Sequence, residues 1–562
     1  MASIGELQQI VGINAWTPDT AVATIGPRSH FRACAEERFR TQKHVRGYPS
    51  NAITWATASA NVGIEQSRSV AYPFNPRRFE ETTYGGWGIP SYLTGHLDRI
   101  YKRLARLEEL FPGDSIHAVD HHLAHSLYSF AASEFDDALV VALDAIGEFE
   151  AGAAYVLSKR SMSAPERVWT LPYNGSLGAF YAAVTRHLGF QSNDEEGTVM
   201  ALAARGNTER YQEAFSGLVK GTGTDFELQS DCISVASPHD RRLQFTDDFV
   251  AKTVPRRVPG APIEQRHADF AASAQLVFEC TLVTCLRELC SRTRQSNLVL
   301  CGGVALNCVA NAVVAESLSS VCVFVPPAPG DDGAAAGAAI ACAAYDGRAL
   351  PPSVRSPFVG PEFRGEASAV LRGLNFDRKS VENTPEWVAD KIASGAIVAM
   401  VHGGAEFGPR ALGNRSILAS ATLPGITSRV NSRIKNREAF RPFAPVVRKE
   451  DYEKWFGPLT KRVDGRHMSF ALKASDEFAE VAPEAVHSNG RARVQVVSSQ
   501  SENPLAAVLN AASGFGDWPV IFNTSLNVKG QPIVNDTAGL GKLLSESGLS
   551  HVVINGVAYA RA

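Results

Sequence analysis

Two sets of short strand-forming runs, each broken by turn-formers, constrain this chain more than any other feature. Ile10-Val11-Gly12-Ile13-Asn14, Ala21 to Ile25 and Phe31 to Ala35 are separated by Pro18-Asp19 and Gly26-Pro27, the pattern of a β-meander. The second set starts at Asp137, where Ala138 to Leu143 is apolar throughout and leads through an acidic turn into a return strand ending near Ser158. An unbroken apolar run of that length suits a buried strand. The two sets are alike in shape though not in letters, which hints at a duplicated α/β core. Helices are predicted over Tyr92–Leu110 and Ala268–Arg294, with a strand at Asn297–Leu300 after the latter.

At 562 residues the chain exceeds what one hydrophobic core serves, so more than one domain is expected. From Asp346 the texture turns rich in Pro and Gly (DGRALPPSVRSPFVGPEFRG), which marks a linker. We divide the chain there into domains of 1–350 and 351–562. The second region is expected to open on strand-like VENTPE and GAIVAMVHGG. Lys plus Arg is 55 against 58 Asp plus Glu, so no general nucleic-acid surface is indicated. Glu6 precedes any apolar run, and the Ala/Gly stretch from Gly333 to Tyr345 is too short to span a bilayer. Nine scattered cysteines contain no C-x-x-C pair. These features predict a reduced, cytoplasmic protein without a membrane or nucleic-acid partner.

Asp120-His121-His122-Leu123-Ala124-His125 is the strongest single constellation. His121 and His125 are four residues apart, so on a helix both imidazoles leave one face and can share an ion. The zinc-protease pattern needs Glu after its first His, where this chain has His122. Asp144 ends the buried strand, and Asp331-Asp332 lie in a tight Pro-Gly turn before an Ala-rich helix. Two histidines with two carboxylates suit Fe²⁺, Mn²⁺ or Zn²⁺. Any one of them alone reads better as a cap; together they favour a metal. Cys301-Gly302-Gly303-Val304-Ala305-Leu306-Asn307 follows a strand and opens a helix, which serves a phosphate loop or a close-packed turn equally well.

The C-terminal region places Arg410 and Arg415 around a Gly/Pro turn, and Arg437 and Arg441 beside aromatic rings. Arg493 lies on a strand-like run, and Asn523, Asn527 and Lys529 share the FNTSLNVKG turn. Arginines flanked by Pro, Gly and aromatics are pre-oriented for phosphate. The aromatics sit in turns rather than forming an RNA-stacking platform, so a phosphate-bearing small molecule is favoured.

These motifs resemble the NodU/CmcH family of antibiotic and nodulation-factor O-carbamoyltransferases, which includes the tobramycin carbamoyltransferase. The resemblance runs through GINAW, EERFRTQKH, DHHLAH, VVALDAIGE, CGGVALN, GDDGAAAGAA, EFGPRALGNRSILA, NREAFRPFAPVV, ARVQVV and FNTSLNVKGQPIV, in that order. It implies an actin-like ATPase (ASKHA, TsaD-like) N-terminal domain and an α/β YrdC-like C-terminal domain. It implies that ATP and carbamoyl phosphate yield carbamoyl-adenylate at positions matching Arg410, Arg441, Arg493, Asn527 and Lys529, with Arg415 and Asn523 also on the nucleotide side. Transfer to a small-molecule hydroxyl would follow at His121, His125, Asp144 and Asp331, which match iron-binding positions. The ion would be Fe²⁺ or another divalent metal, with Mg²⁺ a further candidate. Gly302, Gly303 and Asn307 match the nucleotide loop, Lys43 matches a substrate-site lysine, and a homodimer is compatible with the family.

The chain also departs from the family. Lys529 stands where Arg is usual, and Thr198 where Lys is frequent. Pro18 replaces the His of a common His-Asp-Ala-Ser run, leaving Asp19, His44 or the substrate itself to take the acceptor's proton. Four rival readings are a hydrogenase-maturation carbamoyltransferase, a degenerate nucleotide-binding scaffold, a carbamoyltransferase with a macromolecular acceptor, and an actin-fold kinase. The first normally carries zinc-binding cysteine pairs, the second does not account for a complete metal set, and the last leaves the arginines without a task.

Overall fold

The computed structural model describes residues 9–26, 30–58, 68–79, 90–160, 162–237, 240–513 and 520–562. The chain forms two compact units, 1–36 with 44–356, and 37–43 with 357–562. The Pro-rich stretch lies near the change of unit, as read from the sequence. The short segment 37–43, which carries Lys43, belongs with the C-terminal unit instead of the N-terminal one.

In the first unit β1 (Ile10–Asn14), β2 (Ala21–Ile25), β3 (Phe31–Ala35), β4 (Ser69–Tyr72) and β5 (Ser115–Ala118) form a sheet ordered β3-β2-β1-β4-β5. The second sheet, ordered β10-β9-β6-β7-β8, is made of β6 (Asp137–Leu143), β7 (Glu150–Ser158), β8 (Glu166–Pro172), β9 (Asn297–Cys301) and β10 (Cys322–Phe324). In each sheet the first strand runs antiparallel to the second and the second to the third, while the later two strands join parallel to the first. One topology is therefore built twice, as the paired strand sets suggest.

Two helices lie between the motifs of interest. α1 (His121–Ala132) precedes β6, and α4 (Asp331–Tyr345) is two-thirds Ala and Gly. Small residues there are a packing requirement: a Cβ at Gly337 would sit 1.6 Å from the Ala124 carbonyl of α1. The long helix α2 (Gln265–Thr293) is apolar enough to cross a membrane by composition, but most of it is buried inside the unit. α3 (Cys308–Ser317) follows β9.

The second unit is organised on one eight-stranded mixed sheet. Its strands are β11 (Phe376–Arg378), β12 (Val398–Val401), β13 (Arg415–Ser420), β14 (Ala444–Arg448), β15 (Gln495–Val497), β16 (Ile521–Ser525), β17 (His551–Ile554) and β18 (Val557–Arg561). Their order is β11-β18-β17-β12-β13-β16-β14-β15. α5 (Thr384–Ala393) and α6 (Pro504–Ala512) bury Val388, Ile392, Leu505 and Leu509 against Val398, Leu418, Val446 and Ile521. The strand expected at VENTPE is instead the start of α5. Asn383 caps it by accepting the Glu386 N–H at 3.4 Å, and Pro385 sits in the first turn, where a missing N–H costs nothing.

Candidate active site

The helix α1 begins at His121, so its spacing carries both histidines inward: His121 and His125 are each 1% exposed. Their Nε2 atoms lie 3.1 Å apart. Asp144, just past the end of β6, brings Oδ2 to 3.7 Å from His121 Nε2 and 3.4 Å from His125 Nε2. Asp331, first residue of α4, brings Oδ1 to 3.6 Å from each. A divalent ion held at roughly 2.1 Å spaces neighbouring donor atoms by roughly 3–3.5 Å, so the four residues fit such an ion without rearrangement.

Without a cation, burial pulls the His125 imidazole down. Hydrogen bonding and charge from Asp144 and Asp331 outweigh that and carry it up to about 9. Burial alone would raise Asp144, yet His121 and His125 hold it well below the ordinary carboxylate range.

The supporting groups are fixed by the local fold. His121 Nδ1 lies 3.2 Å from the Pro73 carbonyl and its ring stacks on Phe74, centroids 4.5 Å apart. Its backbone N–H donates to Glu148 Oε1 at 2.9 Å, an acceptor that also takes the Asn75 N–H. Burial and the charge of Asp120 push Glu148 up to about 7. Gly302 adopts φ +79, and a Cβ there would meet the Leu143 carbonyl at 2.1 Å, so only glycine lets this turn close over the end of β6. At Gly303 a Cβ would lie 2.9 Å from Asp144 Oδ1, which places the paired glycines beside the carboxylate. Asn307 does not reach that turn with its side chain. It caps α3 by accepting the Ala310 N–H and exchanges hydrogen bonds with Gln275.

The second unit gathers cations. Lys435 is 4% exposed, and its ammonium donates toward Ser525 O (2.6 Å), Ser525 Oγ (3.1 Å), Asn527 O (2.9 Å) and Asn527 Oδ1 (2.7 Å). Burial, then the charges of Arg437, Arg441 and Lys43, push it well below the usual lysine range. Arg437 lies over the Phe443 ring at 4.3 Å and donates to Asn431 Oδ1 and the Pro442 carbonyl. Burial, then Arg441 and Arg493, lower it too. His487 is pushed down to about 4 by burial and by Arg493. Glu438 is the carboxylate within this group, bonded to Lys529 at 2.6 Å and 4.0 Å from Arg441. The structure thus brings Lys43, Arg441, Arg493, Asn527 and Lys529 together, and adds Lys435, which the sequence reading did not single out.

Arg410 is half-buried in the loop before β13. Buried Glu406 braces that loop by accepting the N–H groups of Leu412, Asn414 and Arg415. Arg415 itself is 0% exposed, and its guanidinium donates to Asn535 Oδ1 and to the carbonyls of His402, Asn414, Pro361 and Gly403. All five N–H groups are committed, so it braces the fold from inside. Asn523, also 0% exposed, donates to Ala411 O and Gln495 Oε1 beneath the same loop. Asp19 lies in the first unit, paired with His44 at 2.6 Å.

Residues 90–340 match the family model for the carbamoyltransferase N-terminus, and residues 389–561 the one for its C-terminus. Nodulation protein NolO of Bradyrhizobium diazoefficiens is 33% identical, over 75% of each chain. Nodulation protein NolNO of Sinorhizobium fredii is 28% identical over 93% of this chain and 76% of that one. An uncharacterised protein of Synechocystis is 29% identical over 94% of this chain and 92% of its own length.

Proposed function

This chain belongs to the carbamoyltransferase family, and from that premise we propose that it is an ATP-dependent O-carbamoyltransferase working through carbamoyl-adenylate. The first unit, with its doubled sheet topology, is read as an actin-like ATPase fold, and the second as the YrdC-like adenylate-forming unit. The observation that carries the proposal is the accumulation of Lys43, Lys435, Arg437, Arg441 and Arg493 in one place with Glu438 among them. So many like charges in a partly buried place repel one another, and a bound anion of high charge relieves that repulsion.

In that reading Arg441, Arg493 and Lys43 take phosphate oxygens, while Lys435 holds the Asn527 turn in place. Forming the mixed anhydride from carbamoyl phosphate and ATP consumes water and releases phosphate and pyrophosphate. Transfer then breaks the bond from the carbamoyl carbon to the phosphate oxygen of AMP, and the acceptor oxygen replaces it. His121, His125, Asp144 and Asp331 would hold a divalent cation, with Fe²⁺ the leading candidate. When bound, the cation supplies electrophilic stabilisation of charge on phosphate oxygens. The Gly302-Gly303 turn brings no side chain of its own beside Asp144, and its Gly302 N–H is held by the Pro329 carbonyl at 2.8 Å. The acceptor is a hydroxyl of a small molecule, and the reaction is placed in the cytoplasm.

The test is pyrophosphate release from ATP. It should depend strictly on carbamoyl phosphate and fall by at least 10²-fold, about the weight of one charged anchor in a preorganised site, in Arg441→Ala or Arg493→Ala. Release that ignores carbamoyl phosphate, or survives both substitutions, would remove the reading.

A further inference from the structure

Resting on the carbamoyl-transfer reading, we infer that His44, oriented by Asp19, is the general base that takes the acceptor's proton. Three segments far apart in sequence meet at His44. The turn after β1 is tied to residues 45–47 by Trp16 N–H to Gly47 O (2.9 Å) and Thr20 N–H to Val45 O (3.3 Å). The Thr20 hydroxyl also donates to Gly47 O at 3.3 Å. This zipper presses His44 Nδ1 to 2.6 Å from Asp19 Oδ1. Both residues are held with positive φ, His44 at +49 and Asp19 at +58. Non-glycine residues enter that region infrequently and persist there where surrounding structure holds them.

The third segment supplies Asp194, whose Oδ1 lies 3.3 Å from His44 Nε2. Its loop is braced by Asn193 N–H to Glu196 Oε1 and Gln191 N–H to Glu195 Oε2. The side chains of His44, Asp19 and Asp194 are 28%, 36% and 19% exposed, so a substrate can reach them. A surface ion pair would not need this framework.

The pair also sits on the same scaffold as the four-residue centre. The Asn14 amide donates to the Asp331 carbonyl at 3.0 Å and lies 3.4 Å from the Asp19 carbonyl. One side chain thus fixes the Asp19 turn relative to a candidate metal ligand. Pro18 takes from this chain the histidine that the family commonly carries two residues before Thr20, and His44 lies against the residue next to it.

The step balances without a further reagent. Nδ1–H stays on Asp19, and Nε2 accepts the hydroxyl proton as the acceptor oxygen bonds to the carbamoyl carbon. The carbamoyl–phosphate bond breaks and AMP leaves with its electron pair. The imidazolium then yields its proton to solvent beside Asp194.

The experiment uses full-length enzyme with ATP and carbamoyl phosphate, water as the acceptor, and hydroxylamine as a nucleophile that needs no base. His44→Gln should keep a burst of pyrophosphate release while AMP release to water slows by about 10²–10⁴-fold, the usual weight of general base catalysis. Hydroxyurea formation from hydroxylamine should stay within a few-fold of wild type. Added imidazole should restore AMP release in His44→Ala, and Asp19→Asn should slow it with the burst intact. Unchanged AMP release in His44→Gln would overturn the assignment. So would equal losses with water and hydroxylamine together with no imidazole rescue, since that marks a structural role. A wild-type enzyme that releases no pyrophosphate would instead bring down the parent reading, and this one with it.

Discussion

Metal binding at the four-residue centre must compete with a proton. In the metal-free protein His125 is held up to about 9 by Asp144 and Asp331. At pH 7 only about one molecule in a hundred then carries the neutral imidazole a cation needs. The apparent affinity at pH 7 should therefore be about 100-fold below its plateau, rising nearly tenfold per pH unit until it levels above 9. About one proton should leave per ion bound at pH 7. Calorimetric titration with Co²⁺ in buffers of different ionisation enthalpy measures both quantities directly. The sign also reverses for stability. A folded pKa raised above 6.5 contributes stability fully present below 6.5 and lost as pH rises through about 9. The shift corresponds to about 3 kcal/mol. Metal-free protein should thus unfold more easily at pH 9.5 than at pH 6, and metal-loaded protein should not. An affinity that is flat from pH 7 to 9, with no proton release, would show that the four side chains do not share one site.

Two further outcomes separate architecture from chemistry in the second unit. Arg415→Met should cost about 3–5 kcal/mol in denaturant unfolding because it strands the buried acceptors of a five-donor brace, whereas Arg441→Ala should cost under about 1 kcal/mol. Lys435→Met should also unfold more readily, by about 1–3 kcal/mol, because it strands the Ser525 and Asn527 acceptors, and should lose carbamoyl-phosphate-dependent pyrophosphate release by about 10²-fold.

The contrast between Arg415 and Lys435 shows where sequence reading stops. The clustering of four side chains was legible because each piece had a local signature: helical spacing for His121 and His125, a strand end for Asp144, a helix start for Asp331. Each signature survives folding because it depends on backbone geometry close by. The arginines carried no such mark. Arg410 and Arg415 stand five residues apart in one motif, and only burial distinguishes a half-buried side chain from one whose every N–H is spent. The internal hydrogen bonds of Asn523 and Asn307 are equally invisible in the sequence, each being made with a partner distant in the chain, Gln495 and Gln275. VENTPE was misread because β-branched letters outweighed a cap and a first-turn proline.

Lys435 carries no signature in the sequence. It ends the helical turn Asn431–Lys435, and its task is visible only when Ser525 and Asn527, some ninety residues on, close around its ammonium. A residue can therefore be essential to an anion site without touching the anion. It does so by taking up the carbonyls of the turn, which would otherwise point their negative ends at the ligand. On this argument the turn's tolerance, not the arginine count, sets what the site binds. Removing any one arginine leaves a weaker version of the same site, but removing Lys435 turns four oxygen acceptors loose beside it.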